Sequence, residues 1–395
     1  MARLFLVQEK LMKPVNFLKG VRVGFRWPRF QRFWKASLIA IFILLSCFSF
    51  SDAGWTLNEQ KPILLSVLAQ GDAVTDPEAI LRNALPIDNR PVRQFQGALE
   101  DIEKNLKGKR WGPIKKDLKD ASFVLATKKD AILASIPEAK KSQAADILDH
   151  LKADLIELDD AVSVQDRAAI LSQRQAMLSQ ITTLEELMVQ GFPFEVPEQY
   201  ANLPLLKGRA TVEVKTTKGD MTIVVDGYSA PVNAGNFVDL VQRGFYNNLP
   251  FTRSEDNFVV QTGDPAGAEN GFIDPKTKKY RAIPLEVLVR GEEKPIYGAT
   301  LEDSGIYLPE LVLPFNSFGA VALARPSTDP NGGSSQFFFF KFDNELTPPG
   351  FNLMDGQYSI FGYLVKGKEV LGEITDKDKI ISAAVVDGLQ NLVQP

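Results

Sequence analysis

The apolar residues of this chain change their period once, and that change constrains its architecture more than any other feature. From about Asp76 to Gln190 they recur every three or four residues, and from Ala210 onward they alternate. A 3.6-residue period buries one face of a helix, and a period of 2 buries one face of a strand. Two halves of these two kinds predict two domains, an antiparallel helical bundle followed by a sheet. The 395 residues leave room for both.

In the helical half, Leu148, Leu151, Leu155, Leu158 and Val162 form one stripe, while Asp146, Asp149, Lys152, Asp154 and Glu157 hold the other faces. Ile170, Met177, Ile181, Leu184 and Met188 form the next, ended by Gly191 and Pro193. Two segments precede them, about 90–106 (Phe95, Leu99, Ile102, Leu106) and 114–127 (Leu118, Ala121, Leu125). Four such helices make a bundle, placed at 54–190, with the stripes as its core; the heptads are too short to demand a second chain. His150 lies between charged neighbours, as a solvated histidine does. Residues 191–209 hold three prolines and no periodicity, and read as a linker or strap.

The alternating half opens with a hairpin: Val212 and Val214, a Lys218-Gly219 turn, then Met221, Ile223 and Val225. One helix follows Pro231, with Phe237, Leu240 and Val241 on its buried face and Gly244 at its end. Short apolar runs at Phe258 to Val260, Ala320 to Ala324, Phe337 to Phe340 and Ile360 to Phe361 are then separated by turns, the pattern of a barrel. Gly362 to Lys368 imitates a phosphate-binding loop. Glu369, however, stands where Ser or Thr must hold magnesium, so the segment reads as a strand-turn-helix join. Asp329 to Gly333 offers a single carboxylate and reads as a turn.

The rarest residues exclude whole chemistries. Cys47 and His150 are the only cysteine and histidine. Intrachain disulfides, cysteine zinc sites and multi-histidine metal centres are therefore excluded, and a Ser-His-Asp triad would have to use His150. No metal and no cofactor is expected. Residues 1–53 carry nine Lys or Arg against Glu9 and Asp52, a net +7, so of the chain's −4 the remainder carries −11. An acidic body argues against nucleic-acid binding. Ala36 to Phe50 is an uncharged apolar core behind a basic stretch, with Ser51 and Ala53 suited to a cleavage point after Ala53. This predicts a signal peptide over 1–53 and export. Two other readings stay open: an uncleaved anchor, short against the ~20 residues a span needs, and a lipid-attachment box at Leu44 to Cys47.

Phe251-Thr252-Arg253, followed by Phe258 to Asp264, resembles the cyclophilin signature. The likeness continues through Lys294 to Gly298, Gly319 to Arg325, Ser334 to Phe338 and Phe361-Gly362. It spans about 210–385, interrupted by an insertion around 270–293. An exported acidic bundle ahead of such a domain resembles the forty-kilodalton thylakoid-lumen cyclophilin subfamily, whose helical part looks like a photosystem II extrinsic subunit. The resemblance implies an eight-stranded antiparallel β-barrel capped by helices over 210–395, and peptidyl-prolyl cis-trans isomerisation. That chemistry suits the residue census. Rotating an X-Pro bond over a barrier of roughly 18–20 kcal/mol needs no nucleophile, metal or proton shuttle, only an apolar pocket and a donor that weakens amide resonance.

Carried over by position, Arg253 would donate to the prolyl amide region and Gln261 would orient a substrate carbonyl. Phe258, Val259, Phe338 and Met354 would wall the proline pocket, with Ala324 and Arg325 on its rim. The competing reading makes Phe258 and Phe338 barrel core; Arg253 resists it, because an arginine beside apolar strands is costly unless paired or functional. Family members usually carry a tryptophan and a histidine at the pocket mouth, and that tryptophan donates a hydrogen bond to cyclosporin. Leu353 and Tyr358 take those places here, which implies reduced activity.

The partners implied are proline-containing clients, namely lumenal parts of photosystem II proteins, in the thylakoid lumen or the periplasm. Membrane association would come only through partners or an uncleaved N-terminal segment. Two rivals remain. One is a proline-segment binding module without turnover, docked to a membrane complex through its bundle. The other is self-regulation, with Pro193, Pro197 and Pro204 of the linker in the chain's own groove.

Overall fold

The computed structural model describes residues 73–268, 270–307, 309–341 and 352–395; the signal-peptide and cleavage expectations lie outside them. A short helix α1 (Pro77–Ala84) leads into four long ones, α2 (Arg90–Lys107), α3 (Trp111–Leu133), α4 (Lys141–Ser163) and α5 (Arg167–Met188). Side chains just ahead of three of them satisfy first-turn N–H groups: Asp76 accepts from Glu78, Asn89 from Val92, and Asp166 from Ala168 and Ala169. The stripe residues expected from the 3.6-residue period, from Phe95 to Met188, are all buried in one cluster. His150 is exposed.

The second half forms an eight-stranded antiparallel sheet from β2 (Arg209–Thr216), β3 (Gly219–Asp226), β4 (Phe251–Ser254), β5 (Val259–Thr262), β8 (Ala320–Leu323), β9 (Phe337–Phe340), β10 (Ile360–Lys366) and β11 (Ile380–Asp387). Their order is β11-β2-β3-β10-β8-β9-β5-β4, and the two ends of the sheet meet at a bridge between Pro250 and Lys379. Helix α6 (Pro231–Gln242) packs Phe237, Leu240 and Val241 into the interior with Val212, Ile223, Val260 and Phe361. Helix α7 (Lys368–Glu373) follows β10 after Gly367, as a strand-turn-helix join.

Alternation explains β9, where four consecutive phenylalanines are all buried. Phe337 and Phe339 belong to the interior cluster, while Phe338 and Phe340 join a second cluster on the outer face with Val259, Ala322, Ile360 and Tyr363. A strand covered on both faces reads as a continuous apolar run. The cover comes partly from α1, whose Ile80, Leu81 and Ala84 belong to that outer cluster. Arg209 fastens the junction: it donates to the Leu81 carbonyl and pairs with Asp226 at 2.8 Å and Glu186 at 3.5 Å. The described bundle and barrel residues thus belong to one compact unit.

Two segments outside the main sheet and bundle have structural work. Of the two readings of 191–209, linker or strap, the packing fits a strap. It contains a 3₁₀ turn at Glu198–Tyr200 and a strand β1 (Leu205–Leu206) paired with β12 (Leu392–Val393). Leu203 and Leu206 are buried in the interior cluster. Gly235 of α6 makes room for it, because a Cβ there would stand 2.3 Å from the Pro204 carbonyl oxygen. The insertion, for its part, caps α6. The Ala230 position ahead of that helix has no capping side chain, and the Glu286 carboxylate on β6 (Glu286–Val287) accepts from Val232 N, Asn233 N and Asn233 Nδ2 instead, at 2.9 to 3.2 Å.

Candidate active site

Register brings the candidate residues into one row. Arg253 on β4 lies opposite Gln261 on β5, Gln261 opposite Phe338 on β9, and Phe338 opposite Ala322 on β8. Directly opposed residues of an antiparallel ladder share a face. A cation, an amide and an aromatic ring therefore line up on the outer face over about 10 Å of sheet.

Arg253 differs from expectation in one respect. Its side chain is 47% exposed and its Nε donates to Glu255 Oε1 at 2.7 Å, so it carries no burial cost that function must offset. What distinguishes it is its place at the end of the row. The guanidinium also lies 5.6 Å from the centre of the Phe258 ring. Phe258 is 38% exposed and is not barrel core, whereas Phe338 is 4% exposed and packs in the outer-face cluster rather than the interior one.

Phe338 and Tyr358 meet edge to face with ring centres 5.3 Å apart. The Arg325 guanidinium lies 5.3 Å from the Tyr358 ring, and its Nε donates to the Gln357 carbonyl at 3.0 Å. Ala324, half-buried beside them, donates its N–H to the Gln336 carbonyl. Val259 is a correction: it is buried within the outer cluster, so it supports the row from beneath and offers no exposed wall.

The loop from Asn352 to Tyr358 supplies Leu353, Met354 and Tyr358, and Asp355 fastens it. Its carboxylate accepts from Phe315 N at 2.8 Å and Asn352 N at 3.2 Å, and Asn352 Nδ2 donates to the Phe315 carbonyl at 3.2 Å. Burial pushes the Asp355 carboxyl up to about 6, against the pull of those two N–H donors. Met354 packs against the outer cluster, whereas Leu353 is 84% exposed and has no side-chain N–H to offer.

Sequence reasoning missed the residues that hold Gln261. Its Nε2 donates to Gln336 Oε1 at 2.7 Å, and Gln336 Nε2 donates to Asp264 Oδ1 at 3.0 Å and to the Asn270 carbonyl at 2.9 Å. Both Gln336 and Asp264 lie inside motifs that carry the family resemblance, but only the pairing of β5 with β9 puts them beside Gln261. The strap, by contrast, lies elsewhere. Its Phe192 stacks on Tyr228, its Tyr200 packs at a tilt against Tyr297, and its Leu203, Leu205 and Leu206 pack with the interior cluster. These contacts do not place the linker prolines in the outer-face row.

Residues 76–189 match the family described as peptidyl-prolyl cis-trans isomerase CYP38-like, PsbQ-like domain, and residues 211–387 match cyclophilin type peptidyl-prolyl cis-trans isomerase/CLD. A Synechocystis sp. protein named as a thylakoid lumen peptidyl-prolyl cis-trans isomerase is 59% identical, over 92% of this chain and 96% of its own. Chloroplastic CYP38 of Arabidopsis thaliana is 44% identical, over 84% of this chain and 78% of its own. Chloroplastic CYP37 of the same plant is 34% identical, over 80% and 71%. With both halves matched in order and the relatives aligned through bundle and barrel alike, the chain belongs to the cyclophilin-type peptidyl-prolyl cis-trans isomerases, in the CYP38-like group with a PsbQ-like helical domain.

Proposed function

We propose that this protein is an exported peptidyl-prolyl isomerase of reduced turnover, acting on proline-containing segments of lumen-facing photosystem II proteins. The observation that carries the reading is the row of Arg253, Gln261 and Phe338 on the outer face of the sheet, exposed at its Arg253 end and buried at Phe338. The proline ring would seat against Phe338, walled by Phe258, Met354 and Tyr358, with Ala324 and Arg325 at the rim. Gln261, anchored through Gln336, would hold the neighbouring carbonyl. Arg253 would donate toward the prolyl nitrogen as the amide twists, stabilising the lone pair that leaves resonance. No proton is transferred and no covalent bond changes.

Reduced turnover follows from Leu353, which brings no donor to the mouth, and from the sharing of Arg253 with Glu255. A lumenal location is supported by the basic and apolar leader and by the names of the relatives. The test is exchange spectroscopy on a short proline peptide with the full chain. Catalysed exchange, slower than that of a tryptophan-bearing homologue, is the expected result. Saturable binding without exchange would replace this reading with that of a proline-segment binding module.

A further inference from the structure

We infer that Glu255 is a positioning residue that restrains Arg253 and thereby sets the turnover of the site, an inference that rests on the isomerase reading above. Glu255 is the first residue after β4 (Phe251–Ser254), and its carboxylate reaches back two residues to accept from the Arg253 Nε at 2.7 Å rather than across the sheet. The backbone of Glu255 is held at both ends: its N–H donates to the Val259 carbonyl at 2.8 Å, and its own carbonyl accepts from Phe258 N at 3.3 Å. The tight turn from β4 to β5 therefore fixes the backbone from which the carboxylate reaches Arg253. The neighbouring Asp256 is engaged elsewhere, 3.9 Å from Lys341 Nζ. Gln261, which faces Arg253 across the ladder, gives its amide to Gln336. Among the described residues of the row, none competes with Glu255 for the guanidinium.

The consequence concerns direction. Strand β4 is the last in the sheet order, and Phe338 lies two strands inward. A guanidinium held along β4 by Glu255 and laid over Phe258 is held at the margin of the row, and a proline seated at Phe338 must draw it inward, against the ion pair. Both partners are about half exposed, at 47% and 49%. The restraint is therefore graded: an exposed pair shifts such an equilibrium by about twofold to fivefold.

Four full-length proteins test this by exchange spectroscopy on a proline peptide: wild type, E255Q, R253A and the double variant. E255Q should raise kcat/KM about twofold to fivefold, and in the R253A background it should do nothing. Added salt screens exposed charges, so it should raise wild-type turnover toward that of E255Q while leaving E255Q flat. A merely structural role for Glu255 would move neither the salt profile nor the dependence on Arg253. Turnover unchanged or lowered in E255Q, or raised equally without Arg253, overturns the inference while leaving the isomerase reading intact. Wild type and R253A equally without exchange would overturn the isomerase reading. In that event the Arg253 Nε–H resonance decides the restraint: a shift and faster solvent exchange in E255Q supports it, and an unchanged resonance overturns it.

Discussion

Replacing Leu81 with alanine tests whether α1 joins the two halves of the molecule into one folding unit. Leu81 is 4% exposed and packs in the cluster that also holds Phe338, Phe340, Ile360 and Tyr363 of the barrel. Three carbons leave, worth about 2.4 kcal/mol of transfer at ~0.8 kcal/mol each. A cavity term adds to this wherever the site cannot collapse, bringing the expected loss to about 3 to 4 kcal/mol. Collapse is opposed here because Arg209 holds the Leu81 carbonyl. The hydrogen bond is to the backbone, so the substitution itself does not remove it. Urea unfolding followed by far-ultraviolet dichroism and by tyrosine fluorescence should show the midpoint falling by both probes, with the slope unchanged. Ile156→Ala is the control, because Ile156 on α4 is 64% exposed and should cost less than about 0.5 kcal/mol. A Leu81→Ala cost below about 1 kcal/mol, or a shift in the helical signal alone, would refute the reasoning.

Three further outcomes are expected. Gly263 has φ +91°, and a Cβ there would stand 2.4 Å from the Ser335 carbonyl oxygen. Gly263→Ala should therefore lower stability by about 1 to 3 kcal/mol in denaturant titration and disturb the neighbouring Gln261–Gln336 contact; wild-type stability would contradict this. Glu185 is fully buried, and burial raises its carboxyl from an ordinary 4.5 to about 7 against the pull of Arg93, whose Nη1 lies 3.2 Å away. Between those values the folded chain holds a proton that the unfolded chain releases, so stability falls as pH rises through the window. Glu185→Gln should flatten that part of the stability-versus-pH curve, and an unchanged slope would contradict the assignment. Leu353→Trp should restore a donor at the mouth, which is worth about 1 to 3 kcal/mol, and raise cyclosporin affinity about tenfold by calorimetry; equal affinity would contradict the carry-over at that position.

What was legible in the sequence was whatever local periodicity encodes. Phe95, Leu151 and Ile181 announce the bundle because a helix repeats its buried face every turn, and Val212 through Val225 announce a hairpin because a strand repeats its own every second residue. The site residues were placed by family motif, and those motifs lie on β4, β5, β8 and β9, which the register then brings side by side. What stayed hidden depends on partners far along the chain. Leu205 and Leu206 lie in a proline-rich stretch and become a strand only because Leu392 and Val393 pair with them. Glu286 reads as an ordinary charge within an insertion until it meets the first turn of α6, more than fifty residues earlier. Helix α1 is too short for a stripe to be convincing, and its apolar face has meaning only against β10. Gln336 was visible as part of a motif, but its role as the anchor of Gln261 was not.

The central claim is that Arg253 supplies the donor for proline isomerisation, and turnover of Arg253→Ala tests it most directly. A preorganised donor aimed where charge develops is worth roughly 2.7 to 4 kcal/mol, or about a hundredfold to a thousandfold in rate, and the ion pair with Glu255 takes back about twofold to fivefold of that. Exchange spectroscopy on a proline peptide with the full chain should therefore show turnover reduced by about twentyfold or more. Peptide affinity should change much less, because the substitution leaves the proposed pocket walls, Phe258, Phe338, Met354 and Tyr358, in place. Unchanged turnover in Arg253→Ala would contradict the account at its centre.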